Sequence, residues 1–138
     1  MIKTDEVTLT NFQWPTGYYN DGIEMGLGVS DKLDFGYLVS EVPASAAGTY
    51  TTNKFQAAPT KLTKNTINQD HQLQAVVMNS ACANSCTGKQ GEQNALTEQK
   101  LMSEKLGIDL NLVGVASTGL IGAQLPMDKV TAGIEKLS

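Results

Sequence analysis

Two short apolar runs that stop abruptly at small polar residues constrain this chain most. Leu73-Gln74-Ala75-Val76-Val77-Met78 leads into Asn79-Ser80-Ala81-Cys82-Ala83-Asn84, and Leu112-Val113-Gly114-Val115-Ala116 leads into Ser117-Thr118-Gly119. Runs of this length bounded by turn residues read as strands, the first of them buried on both faces at its centre. The span from Gly88 to Leu106 carries helical spacing: Ala95, Met102 and Leu106 recur on one side with Leu101 beside them, while Glu92, Glu98, Lys100 and Lys105 stay polar. Gly107 is the expected stop, because glycine relieves the left-handed cap position. Strands and helices joined by short links place the chain in the α+β or the α/β class, and α+β is the expectation taken forward.

The flanking segments are less regular. Phe35 to Val42 is strand-like and Pro43 is expected to end it. Gly48 to Phe55, rich in Thr and aromatics, predicts another strand, antiparallel to the first across the short connection Ala44 to Gly48. Met1 to Tyr19 reads as an irregular lead-in with alternation at Val7-Thr8-Leu9-Thr10, and Ile23 to Val29 alternates loosely among Gly22, Gly26 and Gly28. Those glycines are not a dinucleotide fingerprint, since Asp31 stands where its third glycine belongs. Pro126 opens a last helix whose apolar stripe, Met127, Val130, Ile134 and Leu137, reaches the last residue but one without a cap. That stripe predicts a helix that continues, and hence an incomplete domain.

Charge and cysteine usage exclude several functions. The 138 residues fit one domain, and the formal charge is −4. All ten cations are Lys, so the bidentate Arg fork that reads bases and phosphates is missing, and no nucleic-acid partner is expected. No apolar run approaches the roughly 20 residues of a membrane span, and no signal peptide is evident. The expectation is a soluble, cytoplasmic chain with no membrane partner. Cys82 and Cys86 are too close in sequence for a useful bridge and read as free thiols. His71, the one histidine, sits in a polar run and reads as an exposed loop residue, so no metal site and no resident cofactor are expected.

One segment has clear chemical logic. A strand that ends in Ser117-Thr118-Gly119 can aim the Thr118 hydroxyl and the Gly119 N–H at one point, and two donors converging on a developing negative oxygen form an oxyanion hole. The same three residues can equally be only a turn. Thr51 and Thr52 read as ordinary strand threonines. Asn79 and Asn84 could meet a small molecule at the loop mouth, but asparagines in loops more often satisfy local backbone groups.

Three stretches carry a family resemblance. Val115 to Gly122 (VASTGLIG), followed by Leu125-Pro126-Met127-Asp128-Lys129, resembles the signature "VASTGVIG…LPMDKI" of the ornithine acetyltransferases, also called glutamate N-acetyltransferases. Asn79 to Gly91 (NSACANSCTGKQG) resembles that family's "NSGNANACTGEQG". Val42-Pro43-Ala44, Thr51-Thr52-Asn53-Lys54 and Ala57-Ala58-Pro59 resemble its "DVPATAAGVFTTNKVKAAP". Order and spacing agree over nearly the whole chain. Ala81 and Cys82 depart from the pattern, standing where the family more often has Gly and Asn; Ala81 disfavours a positive φ and Cys82 removes an amide.

The resemblance implies a mixed α/β sandwich of the self-processing aminopeptidase and ornithine acetyltransferase type. It makes residues 1–138 the N-terminal portion of an α chain. The implied activity is transfer of acetyl from N-acetyl-L-ornithine, with acetyl-CoA a possible second donor, to L-glutamate in arginine biosynthesis. The implied nucleophile is the N-terminal Thr of a β chain released by self-cleavage of one precursor, activated by its own α-amine. The implied partners are that β chain, in an assembly of two α and two β chains, and the implied role of Thr118 and Gly119 is the oxyanion hole. This chain lacks the nucleophile and is expected to be inactive alone. Two competing readings are a related self-processing amidohydrolase or aminopeptidase, and a non-catalytic binding domain in which Thr118 is structural.

Overall fold

The structure is a computed structural model that describes residues 11–28 and 31–138. Four strands form one mixed sheet in the order β1 (Tyr18–Ile23), β2 (Phe35–Ser45), β3 (Gln72–Asn79) and β4 (Val113–Ser117). The first two pairings are antiparallel and the third is parallel. The helices are α1 (Ala58–Asp70), α2 (Gly88–Leu106) and α3 (Met127–Lys136), with a 3-10 turn at Leu110–Leu112. A parallel neighbour needs a crossover, and α2 supplies it between β3 and β4.

Strand alternation decides which side is covered. Phe35 and Tyr37, Ala75 and Val77, and Val113 and Val115 share one face and are buried with Met102 of α2, Val130 and Ile134 of α3, and Leu125 and Leu137. On the other face Leu38 and Val76 are only half-buried, and Met78 and Ala116 are exposed. The expectation that β3 is buried on both faces is therefore corrected. At Gly114 that second face meets Thr63 of α1 and Leu73.

α2 spans the residues its pattern predicted, and Gly107 caps it with φ 66°. Elsewhere the sequence reading needs correction. Gly48–Phe55 is not a strand, because β1 and β3 occupy both edges of β2. Pro43 does not end β2. The register instead slips between Val39 and Ala44, where side chains replace the lapsed ladder: Ser40 Oγ donates to the Val42 and Gln74 carbonyls, and Gln74 Nε2 donates to the Ser40 carbonyl. β1 begins at Tyr18, inside the expected lead-in, and only Ile23 of the loosely alternating stretch belongs to it. Val7 to Thr10 and Val29 lie outside the described residues. α1 was not predicted at all. Pro126 is the N-cap of α3 rather than its first residue, and Leu137 is buried just beyond the helix.

Candidate functional site

The turn after β4 is positioned by the turn after β3. Because the two strands are parallel, both chains leave the sheet at the same end, Asn79 beside Ser117. The Thr118 N–H donates to the Asn79 carbonyl at 3.1 Å, and the Leu120 N–H donates to the Ala81 carbonyl at 2.9 Å. The Ala83 N–H returns a bond to the Leu120 carbonyl at 3.0 Å. Gly119 lies between these bonds with φ 127°, so close to the opposing turn that an added Cβ would fall 2.2 Å from the Ala81 carbonyl carbon. Only glycine fits. Thr118 and Gly119 are both exposed, and among the described residues neither the Thr118 hydroxyl nor the Gly119 N–H is engaged in a hydrogen bond.

The turn after β3 is built by side-chain amides. Asn79 Nδ2 donates to the Ser80 carbonyl at 3.0 Å and to the Cys82 carbonyl at 2.8 Å. Ala81 is held at φ 76°, the conformation its side chain disfavours. Asn84 Nδ2 donates to the Gly91 carbonyl, and Thr87 Oγ1 donates to Asn84 Oδ1, which ties the loop to the start of α2. Both asparagines thus serve the local backbone, as loop asparagines commonly do. Cys82 is buried with its Sγ against the Ala123 carbonyl, Cys86 is exposed, and both are free thiols in a loop rather than on a helix. His71 is exposed and caps α1 in the left-handed conformation.

A cavity of about 470 Å³ opens at this end of the sheet, lined among others by Leu33, Asp34, Met78, Asn79, Ser117 and Thr118. Asp34, which the sequence reading did not single out, shapes its rim. The buried carboxylate accepts from the Met25 and Leu27 N–H groups at 2.6 Å and from Gly28 at 3.1 Å, while its carbonyl accepts from the Ser80 N–H at 2.8 Å. Burial pushes this carboxyl up, but the N–H groups of Met25, Gly28, Leu27 and Gly26 outweigh burial and hold it below the usual carboxylate range. An Asp directly before a strand, a few residues after the glycine-bearing segment Gly22 to Gly28, was the signal the sequence held. Asn79 Oδ1 and Ser117 Oγ, paired across β3 and β4, are buried without partners.

This arrangement offers hydrogen-bond donors to a negative oxygen but no base. Among the described residues Asp34 is the one titratable residue lining the cavity, and its oxygens are already occupied by backbone N–H groups. Among the described residues no group of three or more His, Cys, Asp or Glu side chains is placed to hold a metal ion, and no helix is long and apolar enough to cross a membrane.

The chain is similar to known proteins in both sequence and fold. The family model described as the ArgJ family matches residues 20–138. The arginine biosynthesis bifunctional protein ArgJ of Lactiplantibacillus plantarum is 66% identical over 127 residues, which cover 92% of this chain and 31% of that protein. Its counterpart from Oceanobacillus iheyensis is 54% identical over 124 residues, 90% of this chain and 30% of that protein. The chain thus spans about a third of the length of these curated relatives. The crystal structure of ArgJ from Bacillus halodurans superposes with a TM-score of 0.86 at 45% identity, covering 89% of this chain and 64% of that one. Ornithine acetyltransferase from Mycobacterium tuberculosis, solved in complex with ornithine, gives 0.81 at 33% identity, covering 90% and 69%. On sequence and fold together, the chain belongs to the ArgJ family.

Proposed function

We propose that residues 1–138 supply the oxyanion hole of a glutamate N-acetyltransferase that takes acetyl from N-acetyl-L-ornithine. The observation that carries this reading is the Thr118–Gly119 turn: an exposed hydroxyl and an unengaged N–H at the mouth of a cavity, flanked by N–H groups that are already bonded.

The chemistry divides between two parts of one protein. In this reading an N-terminal Thr on the partner β chain attacks the acetyl carbonyl of N-acetylornithine, giving its hydroxyl proton to its own α-amine. The carbonyl oxygen becomes negative, and Thr118 Oγ1 and the Gly119 N–H donate to it. Collapse of this adduct breaks the C–N bond and releases ornithine, whose amine takes the proton. The acetyl-Thr ester is then attacked by the neutral amine of glutamate, the same two donors hold the second oxyanion, and its collapse breaks the ester C–O bond as the amine's proton passes through the α-amine to the Thr oxygen. Two donors in place before reaction stabilise both adducts, and one such donor is worth ~3–4 kcal/mol of transition-state energy. Acetyl-CoA is a second donor in this scheme, and the working assembly contains two α and two β chains in the cytoplasm. Among the described residues the cavity lining offers no free base, in keeping with a nucleophile and base carried by the β chain, and residues 1–138 alone are predicted to transfer nothing.

The test is an acetyl-transfer assay on the complete protein encoded at the native locus, with N-acetylornithine and glutamate varied together. Parallel double-reciprocal lines and an acetylated Thr trapped without glutamate are expected. Turnover of aminopeptides in place of acetylornithine, or transfer by residues 1–138 alone, would contradict the proposal.

A further inference from the structure

The side chain of Asn79 bonds none of the positions assigned a chemical role, yet the N–H groups on either side of Gly119 are both held by the segment it braces. Its Nδ2 bonds the carbonyls of Ser80 and Cys82, closing the turn on itself. Its own carbonyl receives the Thr118 N–H, and the next carbonyl but one, on Ala81, receives the Leu120 N–H. The backbone of Ala81 forms the wall against which Gly119 rests.

These bonds sort the donors of the turn. The N–H groups on either side of Gly119 are consumed by the opposing turn, so the Gly119 N–H is the one left to point outward. A donor contributes to catalysis only if it stands in place before charge develops, because reorienting it during reaction forfeits the gain. The Asn79 amide is well suited to that duty: it is buried, and both of its N–H groups are used within the turn. Ala81 makes the brace more necessary, since an alanine at φ 76° favours relaxing out of the conformation that presents its carbonyl to Leu120.

We infer that Asn79 is a positioning residue for acetyl transfer, fixing the Gly119 N–H and the Thr118 hydroxyl through its two bonds across residues 80–82. The inference rests on the reading of Thr118 and Gly119 as an oxyanion hole. The substrate is not held by Asn79, so its loss is felt in turnover and not in binding.

The experiment is a double-mutant cycle in the complete protein, combining Asn79→Ala with Thr118→Ala, with hydrogen exchange measured at the Thr118 and Leu120 amides. Asn79→Ala is expected to lower kcat 10-fold or more with KM for N-acetylornithine within 2-fold, and to speed exchange at both amides. In the Thr118→Ala background the same change is expected to cost much less, because the two residues serve one feature. Asn79→Ser, which keeps one donor, is run beside it and is expected to fall between, so a poorly folding Ala variant does not end the test. Equal losses in both backgrounds, an effect confined to KM, or faster exchange with unchanged kcat would overturn the inference. Absence of acetyl transfer by the unaltered protein would instead sink the proposed activity, and exchange at the two amides would still report whether Asn79 braces the turn.

Discussion

The Thr63 hydroxyl on α1 closes the outer edge of β4, accepting from the Val115 N–H and donating to the Val115 carbonyl, each at 2.8 Å. One side chain here replaces a neighbouring strand. Gln99 of α2 does the same one step earlier, with its Nε2 shared between the Val113 carbonyl and Thr66 Oγ1. The strand that delivers Thr118 therefore has a paired inner edge and a covered outer one.

Replacing Thr63 by Val keeps its shape and removes both bonds. An unsatisfied backbone group in a partly buried place costs ~1–3 kcal/mol, so Thr63→Val should lose about 2 kcal/mol in urea unfolding. Thr63→Ser should lose less than half of that.

Asp34 links the cavity rim to pH. Its folded pKa lies below the ordinary value, so its stabilising effect is present above the unfolded carboxylate range, near pH 4, and is lost as pH falls through the folded value. Asp34→Asn keeps the size but weakens three backbone bonds made to a charge. A loss of about 2 kcal/mol at pH 7 is expected, with a flatter stability profile below pH 4 than the unaltered chain shows.

Glu98 has the opposite sign. It lies on α2 one turn after Asn94, which reaches Gln124, and about two turns before Lys105, which reaches the Glu135 carbonyl, and so on the flank turned toward α3. Both of its oxygens are buried without a partner, and burial alone pushes the carboxyl up to about 8. No charge from Lys61, Lys64 or Asp70 on α1, or from Asp128, Lys129, Glu135 or Lys136 on α3, adds to that shift. With the folded pKa raised, the folded chain holds a proton that the unfolded chain releases. Stability is full below about pH 4.5 and falls by about 1.4 kcal/mol per pH unit as pH rises toward 8. Glu98→Gln should remove that slope, and chemical unfolding at pH 5, 6.5 and 8 measures it.

Ala81→Gly relieves a left-handed alanine at the cost of a more flexible unfolded chain. The net expectation is a gain of about 0.5–1 kcal/mol, read by thermal unfolding. Gly119→Ala places a methyl group into the Ala81 backbone and should lose about 2 kcal/mol or more.

What could be read from the sequence follows from how each element is held. α2 was legible because its apolar spacing and its glycine stop are local features. α1 was not, because its buried side is Ala58, Pro59, Thr66 and Ile67, which makes little apolar pattern, and its purpose is to cap a strand through hydroxyls. β1 carries Asn20-Asp21-Gly22, residues of a turn, and is a strand only because β2 offers it an edge. The reverse holds for Gly48–Phe55, whose composition suits a sheet that has no free place beside β2. Thr118 and Gly119 were legible through their motif. The bracing by Asn79 was not, since bonds between two turns almost forty residues apart leave no local signal.

The most direct test of the account is kcat for Thr118→Ala in the complete protein with N-acetylornithine and glutamate. Loss of one oxyanion donor predicts a fall of about 10²–10³-fold with the fold intact by circular dichroism. Unchanged kcat in a folded variant would show that Thr118 is only part of a turn, and would contradict the assignment of this chain as the bearer of the oxyanion hole.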